Sequence, residues 1–279
     1  MKEIIMDTII DGIKLLPFLW GAFFLIELIE HKYSKKSKRI IEKSGRFGPL
    51  LGGILGCFPQ CGFSVMATNL YVTRIISLGT LISIYLSTSD EMLPILLAQK
   101  ADAQTILSLL GTKLVIGIFW GFLIDFFFQK KKNKTDYHLC EEEHCHCEKG
   151  ILKSSLKHTL HTFIFILAVS FFLNIVMDYS GEKYLKAIFQ KNNLFSPFLA
   201  SLIGLIPNCG SSIILTELYL NKILSFSSVI AGLLTGSGVA ILVLFRSNKD
   251  LKENFKILFL VYFIGVISGL ILEIMINLI

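Results

Sequence analysis

The sequence predicts an all-α integral membrane protein built from two inverted-topology repeats, with broken half-helices meeting near the bilayer midplane. Three observations predict it. Of 279 residues, 53% are hydrophobic and only 17% charged, with a mean hydropathy of +0.66. A soluble domain of this size has too little interior to hide that much apolar surface, so lipid is the expected solvent. Sliding the chain by 148 aligns residues 48–98 with 196–246 without a gap, and about 15 of roughly 51 positions are identical. Such half-to-half similarity is typical of transporters. The repeat also carries one short motif twice, Pro59-Gln60-Cys61-Gly62-Phe63-Ser64 and Pro207-Asn208-Cys209-Gly210-Ser211-Ser212, each inside apolar sequence where a membrane helix would otherwise run on.

Taken in order, residues 8–29 have the length of one membrane span. With Asp7 and Asp11 and no small-residue cleavage site, this segment reads as retained rather than as a cleaved leader. Residues 31–46 are rich in Lys and Arg and form a loop. Residues 48–58 and 63–72 are each too short to cross alone, so they read as two half-length helices or a tight hairpin of thin spans. Residues 77–97 are apolar except for an interruption at 87–91 that contains Asp90 and Glu91. Residues 103–128 form a long helix, and 129–158 a polar linker. The second half repeats the pattern: an apolar start at 161–177, a polar stretch at 178–193, half-helices at 194–206 and 212–220, a span at 224–245 interrupted at 235–238, a basic loop at 246–256 and a last helix at 257–279. The organisation is therefore a first membrane repeat (1–128), a Cys/His-rich linker (129–158) and a second membrane repeat (159–279).

Charge orients the halves. With 31–46 inside, roughly 19 Lys/Arg fall in cytoplasmic segments against about 7 outside, as the positive-inside rule asks. That assignment makes the second half run opposite to the first, and it places the linker in the cytoplasm. The expected location is the cell membrane, multi-pass.

Each motif supplies particular chemistry. Proline removes a backbone donor and frees a carbonyl one turn earlier, and freed groups at membrane depth are tolerated only in protein or at a wet cavity. Cys61 and Cys209 add thiols, Gln60 and Asn208 amides, and Ser64, Ser211 and Ser212 hydroxyls. A single copy reads as a kinked helix with a cysteine packed as a small hydrophobe. Two copies in register point to one site holding a metal ion or metalloid. The candidate substrate-binding residues are Pro59, Gln60, Cys61, Gly62, Ser64, Asp90, Glu91, Pro207, Asn208, Cys209, Gly210 and Ser212, with Cys61 and Cys209 as metal ligands close to each other across a pseudo-two-fold axis. Cys57 lies one turn from Cys61, but its repeat partner is Leu205. Two adjacent carboxylates in mid-membrane need partners, water or a cation. Lys113 is either their counter-ion or a residue that snorkels to the interface.

In the linker, His138, Cys140, His144, Cys145, His146 and Cys147 place six soft or borderline ligands in ten residues. This density predicts metal binding, and the spacing, unlike that of a structural zinc domain, suits a capture or sensing segment.

With one Pro-Gln/Asn-Cys-Gly motif per half and a Cys/His-rich central loop, the chain resembles the ten-helix heavy-metal exporters, a family also labelled arsenic efflux proteins or manganese transporters. The resemblance implies five spans per half and carries the site onto Pro59, Gln60, Cys61, Gly62 and Ser64, with Pro207, Asn208, Cys209, Gly210 and Ser212. The expected function is export of a heavy-metal or metalloid ion, arsenite or a divalent metal such as manganese. The rival is an intramembrane thiol-disulfide electron carrier using Cys61 and Cys209. An enzyme is not expected, nor a cofactor. A nucleic-acid partner is excluded by the lack of a soluble basic domain. The expected partners are the ion and the lipid bilayer, with the oligomeric state open.

Overall fold

The computed structural model describes residues 47–58, 61–89, 92–128 and 195–278, with isolated helical positions in 16–24 and 156–171; at Cys61 and Cys209 it describes the backbone alone. The described residues are helical and contain no strand. Among the described residues, ten helices form two sets of five. The first set is α1 (Gly48–Gly56), α2 (Cys61–Val72), α3 (Leu78–Ser87), α4 (Met92–Ala98) and α5 (Ala103–Phe127). The second is α6 (Ser196–Gly204), α7 (Cys209–Leu220), α8 (Phe226–Thr235), α9 (Ala240–Ser247) and α10 (Leu251–Leu278). Every helix of the second set begins 148 residues after its counterpart in the first; the sequence repeat over 48–98 and 196–246 predicts this for the first four pairs, and the structure extends it to α5 and α10.

The local signals repeat as well. Ser77 caps α3 by accepting from Thr80 N at 3.1 Å, and Ser225 caps α8 by accepting from Ser228 N at 3.3 Å. The turn after α2 contains a left-handed residue, Arg74 (φ 59°), and the turn after α7 contains Lys222 (φ 58°). In both turns the next amide reaches back across the helix end, Ile75 N to Leu70 O at 2.8 Å and Ile223 N to Leu218 O at 2.9 Å.

One boundary differs from expectation. The last helix begins at Leu251, inside a segment whose charges predict a loop. Asp250 explains the early start, because its Oδ1 accepts from Lys252 N (3.0 Å) and Glu253 N (3.2 Å) and so caps the new N-terminus.

Among the described residues, four stretches are long and apolar enough to cross a membrane: Leu78–Ala98, Ala103–Phe127, Phe226–Ser247 and Leu251–Leu278. The first and third are broken, into α3 and α4 and into α8 and α9. They are also the innermost, with every residue of 79–87 and 227–235 buried. α5 and α10 lie outside and expose Phe119, Phe126, Phe255 and Phe259. Small residues let the inner helices approach closely. A β-carbon on Gly79 would stand 2.1 Å from the Gly121 carbonyl oxygen, and one on Gly204 would stand 2.0 Å from that of Gly232. Within each half, α3 packs on α1 and α5, and α8 on α6 and α10. Between halves the contacts are reciprocal: α2 packs on α9, and α7 on α4.

Candidate functional site

The second motif opens a helix. Pro207 and Asn208 follow the end of α6, and α7 starts at Cys209. Asn208 is extended (φ −146°, ψ 145°) and buried, and its Oδ1 caps α7 by accepting from Gly210 N at 3.2 Å. Ser211 Oγ donates to Asn208 O at 2.8 Å and tightens the same turn. Ser212 is buried against the other break of its half; a β-carbon on Gly236 would lie 3.4 Å from Ser212 Oγ. The break between α6 and α7 therefore adjoins the break between α8 and α9.

In the first half, Gly62 and Ser64 are buried within α2. Ser89 Oγ, between α3 and α4, donates to Cys57 O, between α1 and α2, at 2.8 Å. The two breaks of this half are thus also joined. The helices that follow the motifs match in detail. Thr68 Oγ1 donates to Ser64 O at 2.8 Å, and Thr216 Oγ1 donates to Ser212 O at 2.7 Å. Thr68 Oγ1 also lies 2.5 Å from Tyr85 Oη and 3.5 Å from the carbonyl oxygen of Ala240, the first residue of α9, so α2 reaches the break of the opposite half.

Lys113 of α5 connects the halves at these breaks. A helix break leaves carbonyls without their i+4 amide. Met92 N turns to Ser89 O at 2.9 Å, and Ser237 N turns to Thr235 O at 2.9 Å. The amides that would ordinarily serve Thr88 O and Leu233 O are therefore engaged elsewhere. Lys113 Nζ donates to both carbonyls, to Leu233 O at 2.8 Å. With the residue 1% exposed, the ammonium is buried at the C-terminal ends of α3 and α8, where the helix dipoles favour a cation. The snorkelling expectation for Lys113 is thereby corrected: the freed carbonyls hold its ammonium inside. The Cys57 thiol is free, half-buried and within electrostatic reach of Lys113. Ser237 Oγ is buried at the second break and has no hydrogen-bond partner.

Of the predicted site residues, the structure brings Ser64, Pro207, Asn208, Gly210 and Ser212 to these breaks, with Gly62 beside Cys61 at the start of α2. The positions of Pro59, Gln60, Asp90, Glu91, His138, Cys140, His144, Cys145, His146 and Cys147, and the side chains of Cys61 and Cys209, lie outside the described residues. The expected approach of Cys61 to Cys209 lies outside them too. Among the described residues, no three His, Cys, Asp or Glu side chains form a metal-holding group. The carbonyl contacts of Lys113 were missed by sequence reasoning. The available signal was its pairing, at the same shift of 148, with the buried apolar Val261.

These features define a multi-pass helical membrane protein whose halves repeat helix for helix and whose interruptions meet in the interior. The chain belongs to the family described as "Putative, 10TM heavy-metal exporter", which matches residues 1–177 and 161–277. No curated protein and no solved structure matches it.

Proposed function

We propose that this protein exports a heavy-metal or metalloid ion across the cell membrane, through a site where the paired Pro-Gln/Asn-Cys-Gly motifs interrupt their helices. The observation that carries the reading is the joining of four helix breaks, through Ser89 and Cys57, through Ser212 and Gly236, and through Lys113 with Thr88 and Leu233. Transporters place cargo at such discontinuities because unwound backbone there is free to coordinate. In this reading the halves are inverted in the membrane and the linker is cytoplasmic. Cys61 and Cys209 are the soft ligands, Gln60 the amide oxygen ligand, and Asp90 or Glu91 a ligand or coupling carboxylate. Asn208 adds an amide oxygen when it releases its cap. His138, Cys140, His144, Cys145, His146 and Cys147 capture cargo on the cytoplasmic side. Thiols suit arsenite or a soft metal, and the oxygens suit Mn²⁺.

Intracellular content of Mn, Zn, Cu, Cd and As(III), measured with and without the protein, tests the reading. One of these should fall several-fold on expression, and Cys61→Ser and Cys209→Ser should each restore it. Unchanged content for all five would overturn the proposal. Unchanged content together with a redox-dependent mobility shift lost in Cys61→Ser would favour thiol-disulfide electron transfer instead.

A further inference from the structure

We propose that Lys113 is a tethered cation that occupies the cargo position of the empty protein, and that the cargo is a divalent metal cation which enters only as the ammonium leaves. This rests on the exporter reading and narrows its substrate class.

The argument starts from the carbonyls. Thr88 O and Leu233 O are freed by the two helix breaks, and one comes from each half. The position between them therefore lies where the halves meet. Both mark the negative end of a helix dipole, α3 in one case and α8 in the other. Buried oxygens need a donor, the dipoles make a cationic one favourable, and Lys113 Nζ supplies it. Its counterpart Val261 is apolar, so a single ammonium serves both halves.

Among the described residues, Ser237 and Cys57 carry donors of the kind a metal uses. Ser237 Oγ, four residues beyond Leu233, is buried and unpaired. The Cys57 thiol lies within electrostatic reach of the ammonium, and its backbone carbonyl is held by Ser89, next to Thr88. Two cations in this buried space repel strongly, because interior electrostatics are weakly screened. Ammonium and metal therefore exclude each other. A lysine suits the exchange, since its charge sits at the end of a flexible four-carbon stem that can swing away without moving α5. A neutral metalloid hydroxide carries no charge and would not compete with the ammonium.

The full-length protein in detergent tests this by titration with Mn²⁺, Zn²⁺ and Cd²⁺, comparing wild type with Lys113→Met. The variant is expected to bind the cargo metal at least tenfold more tightly. Equal or weaker binding by a monodisperse variant overturns the proposal. A second measurement needs no variant: saturating metal should raise acetylation of Lys113 in the wild-type protein several-fold, read by mass spectrometry. Unchanged acetylation despite bound metal overturns the proposal even if Lys113→Met fails to fold. Binding of As(III) alone, with Lys113 acetylation unmoved, overturns the tethered-cation role and leaves the exporter reading standing. Binding of neither metal nor metalloid overturns both.

Discussion

The turn after α2 and the turn after α7 have the same backbone and matching side chains, yet their surroundings are opposite. After α2, Arg74 grips Glu253 of α10 through two hydrogen bonds of 2.8 and 2.7 Å, and the guanidinium lies over the Tyr71 ring, 5.2 Å from its centre. Tyr71 Oη adds a 2.6 Å hydrogen bond to Glu253, and Asn248 Nδ2 another at 3.1 Å. After α7 the counterparts Tyr219 and Lys222 line an open cavity of about 520 Å³, together with Thr105, Ser196, Ser225 and Glu273. The shift of 148 explains the difference, because it pairs Glu253 with Thr105. One half offers a carboxylate to the turn of the other, and the reciprocal offer is only a hydroxyl. Near-symmetry of helices is thus compatible with marked asymmetry of corners, since a corner depends on a single charged partner.

The largest effect in this comparison is expected at the helix crossings. Gly79 faces the Gly121 backbone where its counterpart, Ser227, already carries a side chain. Gly79→Ser should therefore destabilise by roughly 1–3 kcal/mol through overpacking, while Ser227→Gly should cost well under that. Thermal unfolding in detergent, followed by size-exclusion, reads both; equal effects would mean that the two crossings are alike.

The corners come next. The Arg74–Glu253 pair is partly exposed, with side chains 41% and 24% accessible, so solvent weakens it. Its bidentate geometry and the Tyr71 bond nonetheless set Glu253→Ala at about 1 kcal/mol, whereas Lys222→Ala should leave stability unchanged. Adding Thr105→Glu opposite Lys222 should reproduce the clamp and slow thiol-reagent labelling of a Ser225→Cys probe in the cavity. Labelling at an unchanged rate would show that the missing carboxylate is not what keeps this corner open.

The smallest difference is at the breaks. Ser89→Ala loses the bond to Cys57 O and should cost about 1 kcal/mol, while Ser237→Ala, which removes an unpaired buried hydroxyl, should be neutral or slightly stabilising. A measurable loss in Ser237→Ala would reveal a partner for that hydroxyl.

Much of this fold was legible. Pro59 and Gly62, and Pro207 and Gly210, announced where helices stop and restart, whereas the capping roles of Ser77 and Ser225 emerged only in the structure. The α10 boundary was misplaced because the charges of 246–256 outweighed a capping aspartate, Asp250, in their midst. The site was legible only as a set of interruptions. Asn208 read as a ligand amide, and its oxygen in this structure caps its own helix. Lys113 read as a counter-ion of Asp90 and Glu91, whose positions lie outside the described residues, or as a snorkelling residue; its ammonium stays inside and donates to two carbonyls.

The sequence alone determined the membrane class, the repeat and most helix ends, because each rests on interactions within a few residues: apolar runs and a proline without its amide proton. Only the tertiary structure decided which breaks meet, where the Lys113 ammonium goes and which corner is clamped. Those depend on pairs far apart in the chain, Lys113 with Leu233 and Tyr71 with Glu253, separated by 120 and 182 residues. No local pattern specifies such pairs. They arise because buried carbonyls and carboxylates must find a positive or hydrogen-bonding partner wherever the fold brings one.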